Sequence, residues 1–507
     1  MRMLLRLWVF LFVVATFPGA VKAQGSISDD RAAHLSIAGG YFPQQWGNPF
    51  SSTSITRQPL WSAIFDPLTL VTTDGDLLPW LATGWEQTSE TTWRITLRTD
   101  VLFSNGEPFN AAAVVAAVSY LTSPAGQREP VGRELGNIES AHALEDQTVE
   151  IVTHHPDPLL PYKLSMLRPL APALWQRQTP DAYFAAPTGT GPYRVSEVGA
   201  TRATLSAVPR SWRRAPSDRL RFLVLLDPAT RQAALATGQA DVAISAVSPD
   251  EFETLRANGG HVFIDRIPAV VSLAFNTVND TPFRHQAVRE AVSYAVDRAA
   301  IVGILLGGET VVANQPAPRS AFGFNTDIQT RAYDPARARV LLRDAGYENG
   351  FDVVMEMPSG AVLYTDAFQK VAADLALVGI DLEVRTVPQI KFLENTQTGD
   401  WGGDTMAIPF FTPVGDALYA MRQNSCLWHA AYYCDAAAVT LIEDALSETD
   451  LTLRKQKTRD VMQHAHDTAQ ALFLYETVSF IGLGQRVQSF RADFGFIRYE
   501  QISLAAN

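Results

Sequence analysis

Cysteine and histidine are scarce in this chain, two and nine among 507 residues. The paired spacings that build a metal cage are correspondingly missing: no C-x-x-C and no H-E-x-x-H occurs, nor does a G-x-S-x-G elbow or a phosphate-binding P-loop. His464 and His466 are two apart on a predicted helix and so face different directions. His154-His155-Pro156 reads as loop, and Thr188-Gly-Thr-Gly-Pro reads as a tight turn because Pro192 lacks the amide that an anion cradle needs. Basic charge is in deficit, with 41 Lys and Arg against 53 Asp and Glu, and a net charge of −12 argues against a nucleic-acid partner. Charged residues reach only 19%, which argues against long disordered tails. Long apolar runs are absent too. The eleven residues from Leu7 to Phe17 fall short of the roughly twenty that span a bilayer.

What is present is apolar residue in quantity, 47% of the chain, at a length beyond the roughly 250 to 300 residues at which one core stops growing. At least two compact bodies are expected. Arg2 and Arg6, the apolar stretch to Phe17, the Pro18-Gly19 break and Val21-Lys22-Ala23 read as an export signal cleaved after Ala23. Cleavage there removes three bases and no acid, taking the net charge from −12 to −15. No cysteine lies near that point to carry a lipid, so a free periplasmic protein is expected. In an oxidising compartment Cys426 and Cys434, in SCLWHAAYYCD, are expected to form a local disulfide rather than a thiol site for metal with His429.

Along the chain, Leu35 to Ala38 reads as a strand, Trp93, Ile95 and Leu97 alternate with polar residues as in a half-buried strand, and Thr148 to Val152 is another. Asn110 is placed to cap a helix from Ala111 to Leu121. Pro228 to Ala236 is helical and precedes a strand at Asp241 to Ile244. Val288, Ala291, Val292, Ala295, Val296, Ala299 and Val302 fall on one face of a single long helix, with Arg289, Glu290, Ser293, Asp297 and Arg298 elsewhere. Asp334, Pro335 and Gly346 punctuate a further helix. Phe351 to Met357, the stripe Phe368, Val371, Ala372 and Leu375, and Ile380 to Val384 give strand, helix, strand. Ala436 to Thr468 is helical and Ala471 to Leu483 an apolar strand. Such alternation predicts an α/β layer structure. No repeat or low-complexity linker separates the bodies, so strands crossing between them are the expected connection.

The wording of several segments carries more than their grammar. LAFNTVNDTPFRHQAVREAVSYAVDRAAIVGILL at Leu273 to Leu306 resembles the signature of the extracytoplasmic solute-binding proteins of ABC importers, family 5, the peptide, nickel and glutathione group. DPLTLVTTDGDLLPWLATGWE from Asp66, FSNGEPFNAAAVVAAV from Phe103, GTGPYRV from Gly189 and YDPARARVLLRDAGY from Tyr333 follow in the family's order. The resemblance implies a two-lobed type II periplasmic-binding-protein fold. Lobe I would cover residues 24–267 with a subdomain inserted at about 65–178, lobe II residues 268–478, and residues 479–507 would return to lobe I. Crossings are expected near Ile267 to Phe275 and Glu476 to Leu483.

The same resemblance implies a monomer that needs no cofactor, binds a peptide or related zwitterion between its lobes, and hands it unaltered to a membrane permease. Trp401 and Asp404 match the family's Trp and the Asp three residues later that holds a ligand's amino terminus. Tyr41, Trp46 and Trp428 are further aromatic candidates. One departure stands out: the run Pro358-Ser-Gly-Ala-Val-Leu-Tyr offers no base where dipeptide binders carry an Arg for the carboxyl terminus, which favours a longer, amide-capped or opine-like ligand. A nickel or metal-chelate carrier of the same family and an exported hydrolase with catalytic residues scattered along the sequence are the alternatives.

Overall fold

The computed structural model describes residues 34–40, 45–245, 247–359 and 362–505. The export signal and Tyr41 lie outside the described residues. The architecture is organised by one ten-stranded mixed sheet. Its strands in chain order are β1 (His34–Gly39), β2 (Tyr193–Val198), β3 (Arg202–Ala207), β4 (Arg219–Val224), β5 (Val242–Ile244), β6 (His261–Phe275), β7 (Phe351–Pro358), β8 (Ile380–Val387), β9 (Thr405–Phe411) and β10 (Ala471–Leu483). They lie in the order β8-β7-β9-β6-β10-β5-β1-β4-β3-β2. The two central strands, β6 and β10, are the longest at 15 and 13 residues. They are antiparallel partners from His261 opposite Leu483 to Ala274 opposite Ala471. One half of the sheet therefore belongs to the early part of the chain and the other to the later part, with β6 and β10 common to both.

Each half buries its own core. Leu35, Ile37, Trp61, Tyr193, Leu220 and Tyr499 centre the first, and Phe275, Val292, Leu342, Met355, Phe368 and Leu472 centre the second. A third core belongs to a separate antiparallel sheet, residues 82–89, 92–97, 148–153 and 138–145 in spatial order, against which the helix Ala111–Leu121 packs. In its strand Thr92–Leu97, Trp93, Ile95 and Leu97 are buried and Arg94 and Thr96 exposed, as their alternation predicts.

Three local expectations change. The helix predicted through Val302 is broken: α3 (Gln286–Ala295) stops where Val296 turns extended. Asp297 then caps a new start by accepting from the Ala300 amide, 3.0 Å. A free carboxylate competes well for helix N-terminal amides, so it restarts the helix rather than continuing it. Arg289, Ser293 and Arg298, placed off the apolar stripe, are buried as well; the arginines' length lets them reach carbonyls of other segments, as Arg298 does at Ala313, Phe473 and Arg331. Asn110 stands at the start of its helix without capping it, and its Oδ1 is buried without a hydrogen-bond partner among the described residues.

Candidate ligand-binding site

The two halves of the sheet are joined at an irregularity. Between Arg266 and Val270 the β6–β10 register shifts, so that Ile267, Pro268 and Ala269 stand opposite Thr477 alone. Pro268 has no amide to give the ladder. Its carbonyl turns instead to Thr412, accepting from the amide at 2.7 Å and the hydroxyl at 3.0 Å. Beside the break, Glu476 accepts from the Arg319 amide at 3.0 Å and Nε at 3.2 Å, while burial raises its pKa. Asp265, 2% exposed, accepts from the Gly495 amide at 2.7 Å through Oδ2. Its Oδ1 has no hydrogen-bond partner among the described residues, and burial, aided by the Asp493 carboxylate, pushes Asp265 up to about 7.

A short path of contacts leads from Asp265 to an unusual cation. Gly495 sits against the start of α1 (Gln58–Ile64): a Cβ there would lie 3.4 Å from Gln58 Cβ. The Gln58 side-chain oxygen accepts from Arg168 Nη2 at 2.9 Å. Arg168 is 3% exposed, donates otherwise among the described residues only from Nη1 to the Met166 carbonyl at 3.0 Å, and rests 5.8 Å from the centroid of Trp61. Its Nε is buried without an acceptor, and no carboxylate among the described residues pairs with it. Two acceptors therefore serve a group with five N–H donors. Burial pulls the Arg168 guanidinium down to about 10, opposed by the charge of Asp66. Asp66 itself is spent on others, 2.8 Å from Arg213 and accepting from Trp80, Trp212 and Thr190. Buried Arg289 also lacks a carboxylate, but it caps the carbonyls of Phe283, Arg284, Thr468 and Ala469 and so pins three segments together. Arg168 pins little.

The residues singled out by sequence fall into two groups. Trp46 lies near Arg168, its carbonyl accepting from Trp61 Nε1 at 2.7 Å. Trp401, Asp404 and Trp428 gather elsewhere. Asp404 immediately precedes β9, whose Thr405 end pairs with Phe275 and whose Phe411 end pairs with Ala269 beside the register break. Seven residues of extended chain put Asp404 about 23 Å from that break. Its Oδ2 accepts from the Val354 amide at 2.9 Å, and its own amide donates back to the Val354 carbonyl at 2.8 Å, an extension of the β7–β9 pairing. Trp401 packs edge-on against Phe392 and Tyr432 at 5.6 and 6.2 Å. Trp428 donates from Nε1 to the Thr396 carbonyl, 2.8 Å away, at the end of α4 (Gln389–Thr398). The disulfide Cys426–Cys434 closes the loop that carries Trp428. Arg168 is not among the residues singled out by sequence; its signal there is a lone charge inside the apolar run Leu164 to Ala171.

The family model described as bacterial extracellular solute-binding proteins, family 5 Middle, matches residues 76–425. This chain belongs to that family. The nickel-binding periplasmic protein of Escherichia coli (strain K12) is 28% identical over 83% of this chain and 84% of its own length. The dipeptide-binding protein of the same organism is 23% identical over 92% of each. Among solved structures, the periplasmic binding protein DppA of Helicobacter pylori in complex with the peptide STSA superposes with a TM-score of 0.76 at 21% identity, covering 94% of this chain and 100% of that one. The fold is thus the two-lobed type II periplasmic-binding-protein fold, with the four-stranded sheet as an additional subdomain. In this family 5 protein the register break at Ile267–Ala269 and Thr477 falls within β6 and β10, the two strands shared by both halves of the large sheet. Family members are extracytoplasmic transport components that bind without chemistry, and no helix among the described residues is long and apolar enough to cross a membrane.

Proposed function

We propose that this protein captures a small carboxylate-bearing zwitterion, a peptide or a related amino-acid conjugate, between its lobes and delivers it to an ABC permease. Arg168 carries the reading. A guanidinium removed from water without a counter-ion is costly, and planar two-point recognition of a carboxylate is what its fork geometry suits. Its neighbours suit that role. Gln58 fixes one arm, Trp61 walls off water, and contacts through Gln58 and Gly495 link it to Asp265 on β6, a strand shared by both halves of the sheet. The missing base after β7 then requires no amide-capped ligand. Trp401 and Asp404 receive no ligand contact in this reading, because the Asp404 carboxylate is already committed to the backbone of β7.

The test is calorimetric titration with a panel of di- to pentapeptides, each with a free and an amidated carboxyl terminus, on the wild type and on Arg168→Met. A free carboxyl is expected to strengthen binding to the wild type and to make no difference to the variant. Equal binding of both peptide forms by the wild type would sink the proposal. Binding of a metal chelate with no peptide binding would move the protein to the cargo class named for the nickel-binding relative.

A further inference from the structure

Contacts between the second lobe and the subdomain follow one another along the chain after β9. Nearest it, Thr412 is tied to Pro268. Two residues on, Val414 is 3% exposed inside the subdomain's own core cluster. Gly415 approaches Val71, and Gly75 lies so close to Ser320 that an added Cβ would meet its carbonyl oxygen at 2.1 Å. Beyond these comes α5 (Ala417–Gln423), and from it the Tyr419 hydroxyl donates to Glu134 Oε1 at 2.8 Å across a sequence separation of 285. Glu134 ends α2 (Pro130–Glu134), a helix of the subdomain. The Tyr419 oxygen in turn accepts from Gln423 Nε2 at 3.1 Å, which aims its single proton at the carboxylate.

We propose that Tyr419 and Glu134 form a latch that holds the lobes together before any ligand is bound, and so sets the closed fraction of the free protein. A rotation of one body against the other must part this hydrogen bond, which joins residues 285 positions apart in the chain. The acceptor is a carboxylate and both partners are half-buried: burial raises the Glu134 pKa, while Tyr419, Arg422 on α5, Lys163 in the segment Leu160–Lys163 and Arg133 on α2 itself all favour the carboxylate. A hydrogen bond to a charged acceptor in such surroundings shifts an equilibrium by about tenfold or more. Ligand affinity follows, since binding to a state already populated carries less of a closing cost. The inference rests on the capture reading for its purpose but not on Arg168.

Small-angle scattering of ligand-stripped, full-length mature protein tests it. Wild type is expected to be compact. Tyr419→Phe, which keeps the ring and loses the proton, is expected to give a larger radius of gyration at an unchanged circular dichroism spectrum, and Tyr419→Phe with Glu134→Gln no further increase. Profiles of wild type and Tyr419→Phe that superimpose overturn the latch, whether both are compact or both extended. Should Tyr419→Phe fail to fold, Glu134→Met, which removes the acceptor, decides by the same comparison. Because no ligand is present, a failed Arg168 titration leaves this outcome untouched, and the reverse holds as well.

Discussion

Arg168 and Asp404 invite comparison, because each is a charged side chain set beside a tryptophan in a segment that breaks an apolar pattern. Asp404 satisfies its own fold: one oxygen extends the pairing of β7 with β9, and the nearby Trp401 fills a gap between Phe392 and Tyr432. Arg168 does the reverse. It is almost wholly buried and holds two acceptors for five donors among the described residues. A charged group points to a ligand when the fold has buried it without using its bonding capacity. A charged group that the fold has used points to architecture.

The largest effect that separates the two is on affinity. Arg168→Met is expected to weaken binding of a free-carboxyl peptide by at least about 30-fold, the range for truncating one side of a buried charge pair, whereas Asp404→Asn is expected to change it by less than about threefold. The comparison breaks if calorimetry gives the opposite ranking. Next is stability. Asp265 titrates at about 7 when folded, against roughly 4 in an unfolded chain. Its folded pKa is raised, so the folded state binds the extra proton: stability from this group is full below pH 4 and is lost as pH rises through 7, by up to about 4 kcal/mol. Asp265→Asn keeps an acceptor for the Gly495 amide and is expected to flatten that fall in denaturant titrations run between pH 4 and 8. An unchanged slope would remove Asp265 as its origin.

Smaller still, replacing both Cys426 and Cys434 by Ser is expected to cost about 2 to 3 kcal/mol by releasing a short loop in the unfolded chain. Peptide affinity should stay as it was, since that loop sits with Trp428 and α4, away from the crossing. A parallel loss of affinity would draw the Trp428 region back into the ligand site. The smallest effect is Asp404→Ala, about 1 kcal/mol for one lost hydrogen bond to the backbone, seen as a small fall in the thermal midpoint with binding intact.

Much of the fold was legible in residue order. Pro228 to Ala236 is helical as its punctuation implies, Gly346 takes the left-handed conformation expected after the helix Pro335–Asp344, and Phe351 to Pro358 and Ile380 to Val387 pair in parallel as strand, helix, strand requires. These are local properties: periodicity, capping and the glycine backbone act within a few residues. The break at Val296 was not legible because its cause is a contest between two uses of Asp297, which periodicity does not register.

The site was less legible. The Trp401-Asp404 spacing fits a family phrase, yet spacing says nothing of what else a carboxylate touches, and Val354 lies fifty positions away in the chain. Arg168 looked like any arginine in a loop, because Gln58 and Trp61 come from more than a hundred residues earlier. By itself the sequence determined the α/β elements, the separate cores and the family, all of which follow from local pattern and the order of segments. Only the tertiary structure decided which charges were left with bonding capacity and which distant helices meet through Tyr419 and Glu134, because desolvation and pairing depend on neighbours that the chain brings together only when it folds.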